Sequence, residues 1–307
     1  MYLHHFGLAK RPFEVTPDPR FLFDGAVHRE ALAALTYGIQ ERRGFISLVG
    51  EVGTGKTTLL RTLLDRLDPS VQSVLLTHTT INPKELLQMI LVDLEIPTAR
   101  ANRVEMLHRL QEFLLERGAR GELTVLIIDE AQNLPAAVLE EVRLLTNLET
   151  AVTKLLQVIL AGQPELERIL VRPELRQLRQ RIAVHARVGP LTLEETIQYV
   201  RHRLRVAGGS QQSLFTSLAI HAVWEVSGGV PRLINLVCDH CLVSAFASGE
   251  RQIPLSLVRE AAGDLGLTHF PSGGGQRPCS GFCVIPGSSE RASPVWNRLG
   301  EVNEPNL

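Results

Sequence analysis

Short, mostly apolar runs alternate along this chain with longer stretches in which apolar residues recur every three or four positions. The runs are Phe45–Val49, Val74–Leu76, Leu123–Ile128, Leu155–Ala161 and Ile182–Val188. Each reads as a strand, and the continuous Leu123–Ile128 run is what a strand buried on both faces requires. Between the runs, helical spacing predicts a helix at about 27–41, with Ala31, Leu35 and Ile39 on one face. Further helices are predicted from the glycine-rich turn to about Leu67, at 83–95, at 103–117 and onward from Pro135, where Val138, Val142, Leu145 and Leu148 share a face. Pro83 suits the first turn of its helix. Strands alternating with helices mean an α/β fold, a parallel sheet covered on both sides.

After Pro190 the strand pattern stops, and residues 191–267 read as helices only, at 193–206, 214–226, 231–247 and 255–265. The expected organisation is therefore an N-terminal segment at 1–44, an α/β core at 45–190 and an all-helical domain at 191–267. The N-terminal segment is rich in aromatics and prolines, which rule out one continuous helix there. A Pro/Gly/Ser-rich tail, 268–307, is expected to be disordered.

Directly after the first apolar run comes Gly50-Glu51-Val52-Gly53-Thr54-Gly55-Lys56-Thr57, with Thr58 behind it at the start of a helix. A G-x-x-x-x-G-K-[ST] sequence between a strand and a helix is a phosphate-binding loop. Its glycines let the backbone N–H groups turn toward phosphate oxygens, and the helix N-terminus adds favourable potential. Lys56, one of only four lysines in the chain, is a point charge for the β- and γ-phosphates of ATP, and Thr57 offers a hydroxyl to Mg²⁺. The third run delivers Asp129 and Glu130 to the strand's C-terminal end, where open α/β sheets bind ligands. Asp129 fits a Mg²⁺ ligand and Glu130 the base for an attacking water. Gln163 follows the fourth run, where it either positions water near the γ-phosphate or caps the helix starting at Pro164. Arg232 follows Gly228-Gly229-Val230-Pro231 in a first helical turn. A cation is disfavoured there, which points to an anion outside the helix. Arg181 ends a segment in which Arg176 and Arg179 compete for the same role.

Composition adds limits. The chain of 307 residues is 44% hydrophobic and 21% charged, ordinary for a soluble globular protein. It contains no apolar run of the roughly 18 residues that suggest a bilayer span, and Met1–Phe6 lacks the layout of a secretory signal. A cytoplasmic protein, reaching the inner membrane only through a partner, is expected. The net charge of −1 gives no global attraction to nucleic acid, although Arg168, Arg172, Arg176, Arg179, Arg181 and Arg187 crowd one segment. Cys238 and Cys241 read as helix-buried thiols, and Cys279 and Cys283 lie in the tail. Their spacing does not suit a zinc site.

With these residues in place, the chain resembles AAA+ ATPases and, more narrowly, the general secretion pathway protein A (ExeA-like) family. The resemblance covers about residues 1–267. Its carriers are Phe6-Gly7-Leu8, Pro12-Phe13 and Pro17–Phe21, Gly50–Thr57, Ile128–Asn133, Gly162–Leu166, Leu175–Ile182 and Gly228–Asn235. It implies a five-stranded parallel sheet with a helical lid and ATP between them. It further implies Gln163 as first sensor, Arg232 as second sensor and Arg181 as a finger reaching a neighbouring subunit, hence a homo-oligomeric ring. Longer members continue into a membrane segment and a peptidoglycan-binding region, which the short tail here is not expected to supply. Shorter ones accompany pilus assembly and exopolysaccharide export. An assembly ATPase with a membrane-bound export partner is the implied function, and a DNA-binding transposition regulator of the same branch is the alternative.

Overall fold

The computed structural model describes residues 2–14, 18–99, 101–149, 153–209 and 214–267. The tail, with Cys279 and Cys283, lies outside the described residues. The chain opens with α1 (Tyr2–His5), a short 3-10 turn (Pro19–Phe21) and α2 (Ala26–Gln40). The α/β core follows as β1 (Phe45–Gly50), α3 (Lys56–Arg66), β2 (Val71–Leu76), α4 (Pro83–Asp93), α5 (Arg103–Ala119) and β3 (Leu123–Ile128). It continues through α6 (Ala136–Leu145), β4 (Leu156–Gly162), α7 (Pro164–Leu170), α8 (Arg176–Arg181) and β5 (Ile182–Val188). The helical region is α9 (Leu193–Val206), α10 (Ser217–Ser227), α11 (Pro231–Ser248) and α12 (Leu255–Asp264).

The five strands form one sheet in the order β2-β3-β4-β1-β5, and every neighbouring pair is parallel. Side chains alternate across a strand, so the sheet feeds two cores. Val125, Ile127, Ile159 and Ala161 pack with α2 and α3 on one face, and Leu126, Ile128, Val158 and Leu160 pack with α4 to α8 on the other. Two-sided burial explains why β3 reads as an unbroken apolar run.

β2 begins three residues before the expected Val74, because Val71, Gln72 and Ser73 pair with Leu123, Thr124 and Val125 at the sheet edge. Those three are only half-buried, so hydrophobicity does not mark them. The helix after Pro135 ends at Leu145, and Leu148 reaches the core from the following turn. The helix expected from Leu214 begins at Ser217, capped by the Thr216 hydroxyl. Phe215 instead makes an isolated bridge with Ile253 and is fully buried.

α9 to α12 have their own core, and the N-terminal aromatics complete it: Phe6, Leu8, Phe13 and Phe21 pack among Tyr199, Phe215, Ile220 and Val237. Arg203 of α9 fastens this arrangement by donating to the carbonyls of Pro12 and Glu14. α2, by contrast, lies against β5 and α3. The N-terminal residues therefore bridge the sheet and the helical region, and the cavity between the two carries the candidate chemistry. Cys238 and Cys241 are fully buried in α11, and burial pushes both thiols well above their ordinary range. No described helix is long and apolar enough to cross a membrane.

Candidate active site

β1 ends at Gly50, where a Cβ would lie 2.3 Å from the Val188 carbonyl oxygen of β5, so only glycine fits. The chain then turns through Gly53 (φ 81°) and Gly55 (φ 99°), left-handed conformations that glycine adopts without strain. Thr54 is fully buried, and its hydroxyl donates to the Glu51 carbonyl at 2.8 Å. α3 starts at Lys56 with no capping side chain, which leaves its first-turn N–H groups available for an anion.

Lys56 is 5% exposed, and its ammonium donates to the carbonyls of Gly50 at 2.8 Å and Glu51 at 3.0 Å. Burial lowers its pKa, against the raising effect of Glu130, Asp129 and Glu51. Among the described residues it forms no ion pair. A buried ammonium satisfied by neutral carbonyls, beside uncapped amides and glycines with no room for a side chain, fits a bound phosphate.

The acids meet this loop from β3. The Thr57 hydroxyl donates to Asp129 Oδ2 at 2.7 Å, and Asp129 Oδ1 accepts the Glu130 N–H at 3.0 Å. A hydroxyl and a carboxylate form a hard oxygen pair of the kind Mg²⁺ takes when phosphates and water supply the other ligands. Glu130 itself sits at φ 53°, a left-handed conformation that costs a non-glycine residue about 1 kcal/mol or more and clusters at functional sites.

Gln163 stands at the N-cap of α7 but makes no side-chain cap. Its amide donates to Glu130 Oε2 at 3.0 Å, so of the two readings of this residue the geometry supports the one beside the acids. Gln132, two residues beyond Glu130 and marked by no spacing rule, completes the arrangement. Its amide N–H donates to the same Oε2 at 2.6 Å, while its Oε1 accepts the Gln163 N–H at 3.1 Å. Burial pushes the Glu130 carboxyl up, but the two amide donors and the Lys56 charge outweigh it and hold the pKa below its ordinary value. Oε1 is left without a hydrogen bond among the described residues.

Arg232 reaches the loop from the helical region. Its backbone N–H donates to the Gly53 carbonyl at 3.1 Å, and a Cβ on Gly53 would lie 2.6 Å from Arg232 Cβ. Its side chain is exposed, lines the cavity and has no ion pair among the described residues. Arg181 lies elsewhere. Its Nη1 donates to the Arg143 carbonyl, the Thr146 hydroxyl and Asn147 Oδ1 at 3.2, 3.2 and 2.6 Å, at the C-terminal end of α6.

The cavity has a volume of about 480 Å³ and is walled by residues 52–58, Glu130, Arg232 and Asn235, and by Tyr199 and Arg203 of α9. Its remaining wall comes from the N-terminal residues Glu14, Asp18, Phe21, Phe23 and His28. No spacing rule marks these N-terminal and α9 residues, which meet only because the Phe6–Phe21 aromatics dock on the helical region.

Residues 39–170 match the family described as AAA domain. General secretion pathway protein A of Aeromonas hydrophila is 44% identical over 254 residues, which are 82% of this chain and 46% of that protein. The chain thus spans about half the length of that relative. An uncharacterized HTH-type transcriptional regulator of Methanocaldococcus jannaschii is 30% identical over 112 residues, 36% of this chain and 27% of that protein. Among solved structures, Cdc6p of Pyrobaculum aerophilum superposes with a TM-score of 0.62 at 20% identity, covering 80% of this chain and 70% of the other. RuvB of Thermotoga maritima superposes with 0.54 at 16% identity, also covering 80% and 70%. At such identities the likeness is one of fold, the AAA+ arrangement of a five-stranded parallel sheet followed by helices. Similarity of this degree over four-fifths of the sequence, joined to the AAA domain and that fold, is decisive: the chain belongs to the ExeA-like general secretion pathway protein A family.

Proposed function

We propose that this protein hydrolyses ATP and uses the cycle to drive or regulate assembly of a secretion, pilus or exopolysaccharide export system. One observation carries the enzymatic part: the buried Lys56 ammonium, the Thr57–Asp129 pair and the Glu130–Gln163 pair converge on one sheet edge. In this reading the 50–57 loop and Lys56 hold the β- and γ-phosphates. Thr57 and Asp129 hold Mg²⁺, which supplies charge neutralisation on the phosphate oxygens when bound. Glu130 Oε1 orients a water and accepts its proton as the water oxygen bonds to the γ-phosphorus and the bond to the ADP oxygen breaks. Gln163 and Gln132 hold Oε2, fixing the direction of Oε1. Arg232 steadies phosphate charge from the helical region.

Arg181 serves as a finger for a second copy in a homo-oligomer once its contacts with Arg143, Thr146 and Asn147 are released. Arg176 and Arg179, exposed and without ion pairs among the described residues, compete for that role. The name of the Aeromonas relative supports the secretion setting, with a membrane-bound export protein as partner. A DNA-binding regulator is the second reading. It is favoured by Arg172, Arg176 and Arg179, which are exposed on one segment.

Steady-state hydrolysis and nucleotide binding test the proposal together. Lys56→Ala is expected to lose binding, whereas Glu130→Gln keeps binding, loses turnover and traps oligomers. Unchanged turnover in Glu130→Gln refutes the assignment of the base. Stimulation by duplex DNA that falls steeply with salt would replace the secretion reading with the DNA one.

A further inference from the structure

We infer that His28 is a positioning residue of the phosphate loop: a neutral imidazole, protonated at Nε2, that holds the Thr54–Gly55 peptide in one orientation. His28 lies in the first turn of α2, 5% exposed, with Nε2 3.0 Å from the Thr54 carbonyl oxygen. A carbonyl oxygen only accepts, so Nε2 carries the proton. Nδ1 is buried and finds no hydrogen-bond partner among the described residues. A proton there would be an orphaned donor, so the tautomer with a bare Nδ1 is the one this environment selects. Burial also keeps the ring neutral by lowering its pKa, although the hydrogen bond to Thr54, then Glu195 of α9 and Asp24 before α2, pull the other way.

The loop needs such a hold. Gly55 sits at φ 99°, and a glycine's wide conformational range lets the peptide before it rotate at little cost. A planar trans peptide directs its N–H opposite to its carbonyl. Anchoring the Thr54 carbonyl on His28 therefore keeps the Gly55 N–H pointing away from α2. A flipped peptide would withdraw that donor from its place and turn a carbonyl dipole there instead, which a phosphate repels. The imidazole also occupies the side where residue 55 would carry a side chain, since a Cβ on Gly55 would lie 3.2 Å from His28 Nε2. α2 is itself held against β5 and α3, so the donor has a rigid mount.

This inference rests on the nucleotide-binding reading above, and one set of measurements separates the two. Calorimetric titration of the full chain with ADP and with Mg-ATP is run on wild type, His28→Phe and His28→Gln, beside melting curves and steady-state kinetics. Phe keeps a ring without a donor, and Gln keeps an N–H near the Nε2 position. His28→Phe is expected to weaken binding roughly tenfold and to raise KM more than it lowers kcat, while His28→Gln stays within about threefold of wild type. Nitrogen-15 spectra of wild-type histidines are expected to show one imidazole locked as the Nε2–H tautomer, a readout independent of whether the variants fold. Wild-type binding with an unimpaired Phe variant, a Gln variant as impaired as Phe, or an Nδ1–H tautomer each overturns the role of His28. A wild-type chain that binds neither nucleotide overturns the nucleotide reading and this inference with it.

Discussion

Replacing Gln132 with Leu isolates the part of the site that organises the base. The substitution removes the 2.6 Å hydrogen bond to Glu130 Oε2 and leaves the Gln163 N–H without the acceptor it now meets at 3.1 Å. A hydrogen bond to a charged group contributes about 1.5–3 kcal/mol net. Glu130 is only partly buried, so solvent screening puts the loss near the lower figure. If that bond aligns the carboxylate in the transition state, about 1.5 kcal/mol is roughly a tenfold fall in kcat.

The pH profile carries the same signature. The Glu130 carboxyl lies below its ordinary 4.5 because the Gln132, Gln163 and Lys56 effects outweigh burial. Without Gln132 its pKa rises, so the acid limb of kcat moves to higher pH. A depressed carboxylate contributes stability above its unfolded pKa and loses it as pH falls through the folded value. The variant therefore also loses part of its stability margin at neutral pH, and its acid transition moves upward. Nucleotide affinity should be unchanged, because Lys56 and the 50–57 loop are untouched. The assay is kcat and KM against pH, with melting curves at matched pH. A kcat within twofold of wild type and an unmoved acid limb refute the reasoning, as does a change confined to KM.

Two further outcomes follow from buried cations. Burial depresses the Lys56 pKa below 10.5, so between the depressed value and 10.5 the unfolded chain binds more protons and the nucleotide-free protein gains stability as pH rises. Over the same window nucleotide affinity falls as the ammonium is lost, and Lys56→Arg should flatten the affinity profile. Calorimetric titrations on the alkaline side check this, and an affinity flat to pH 10.5 in wild type contradicts it. Arg203→Leu removes the donors to the Pro12 and Glu14 carbonyls and to the Tyr199 hydroxyl, together with a cation placed over the Phe21 ring. A loss of roughly 3 kcal/mol and faster proteolysis within residues 2–14 are expected. A melting temperature equal to wild type rules out the tether.

Much of the architecture was legible from the chain alone. All five strands were placed within a few residues, because burial concentrates apolar residues in short runs, unbroken by charge in the two-sided strand β3 and alternating in the edge strand β5. The exception was the start of β2, whose half-buried edge residues Val71–Ser73 are recruited by pairing rather than by deep burial. The 50–57 loop was legible too, since its glycines answer to backbone geometry that only nearby residues set. Gln163 was visible only as a choice between a cap and a site residue, and the bond to Glu130 supports the second.

What the tertiary structure decided are the contacts between residues far apart in sequence. Phe6, Leu8, Phe13 and Phe21 showed themselves as aromatics in a proline-rich stretch, with nothing to say that they complete the core of α9 to α12. His28 on Thr54 and Arg203 on Pro12 and Glu14 could not be read at all. Local hydrogen bonding and periodic burial write themselves into neighbouring positions. A side chain meeting a backbone group 26 or 191 residues away leaves no period and no spacing. The sequence alone determined that a glycine-rich loop would form between a buried strand and a helix. Only the packing of the N-terminal segment between the sheet and the helical region decided what would hold that loop in shape, because collective burial chooses those partners and no stretch of chain encodes them by itself.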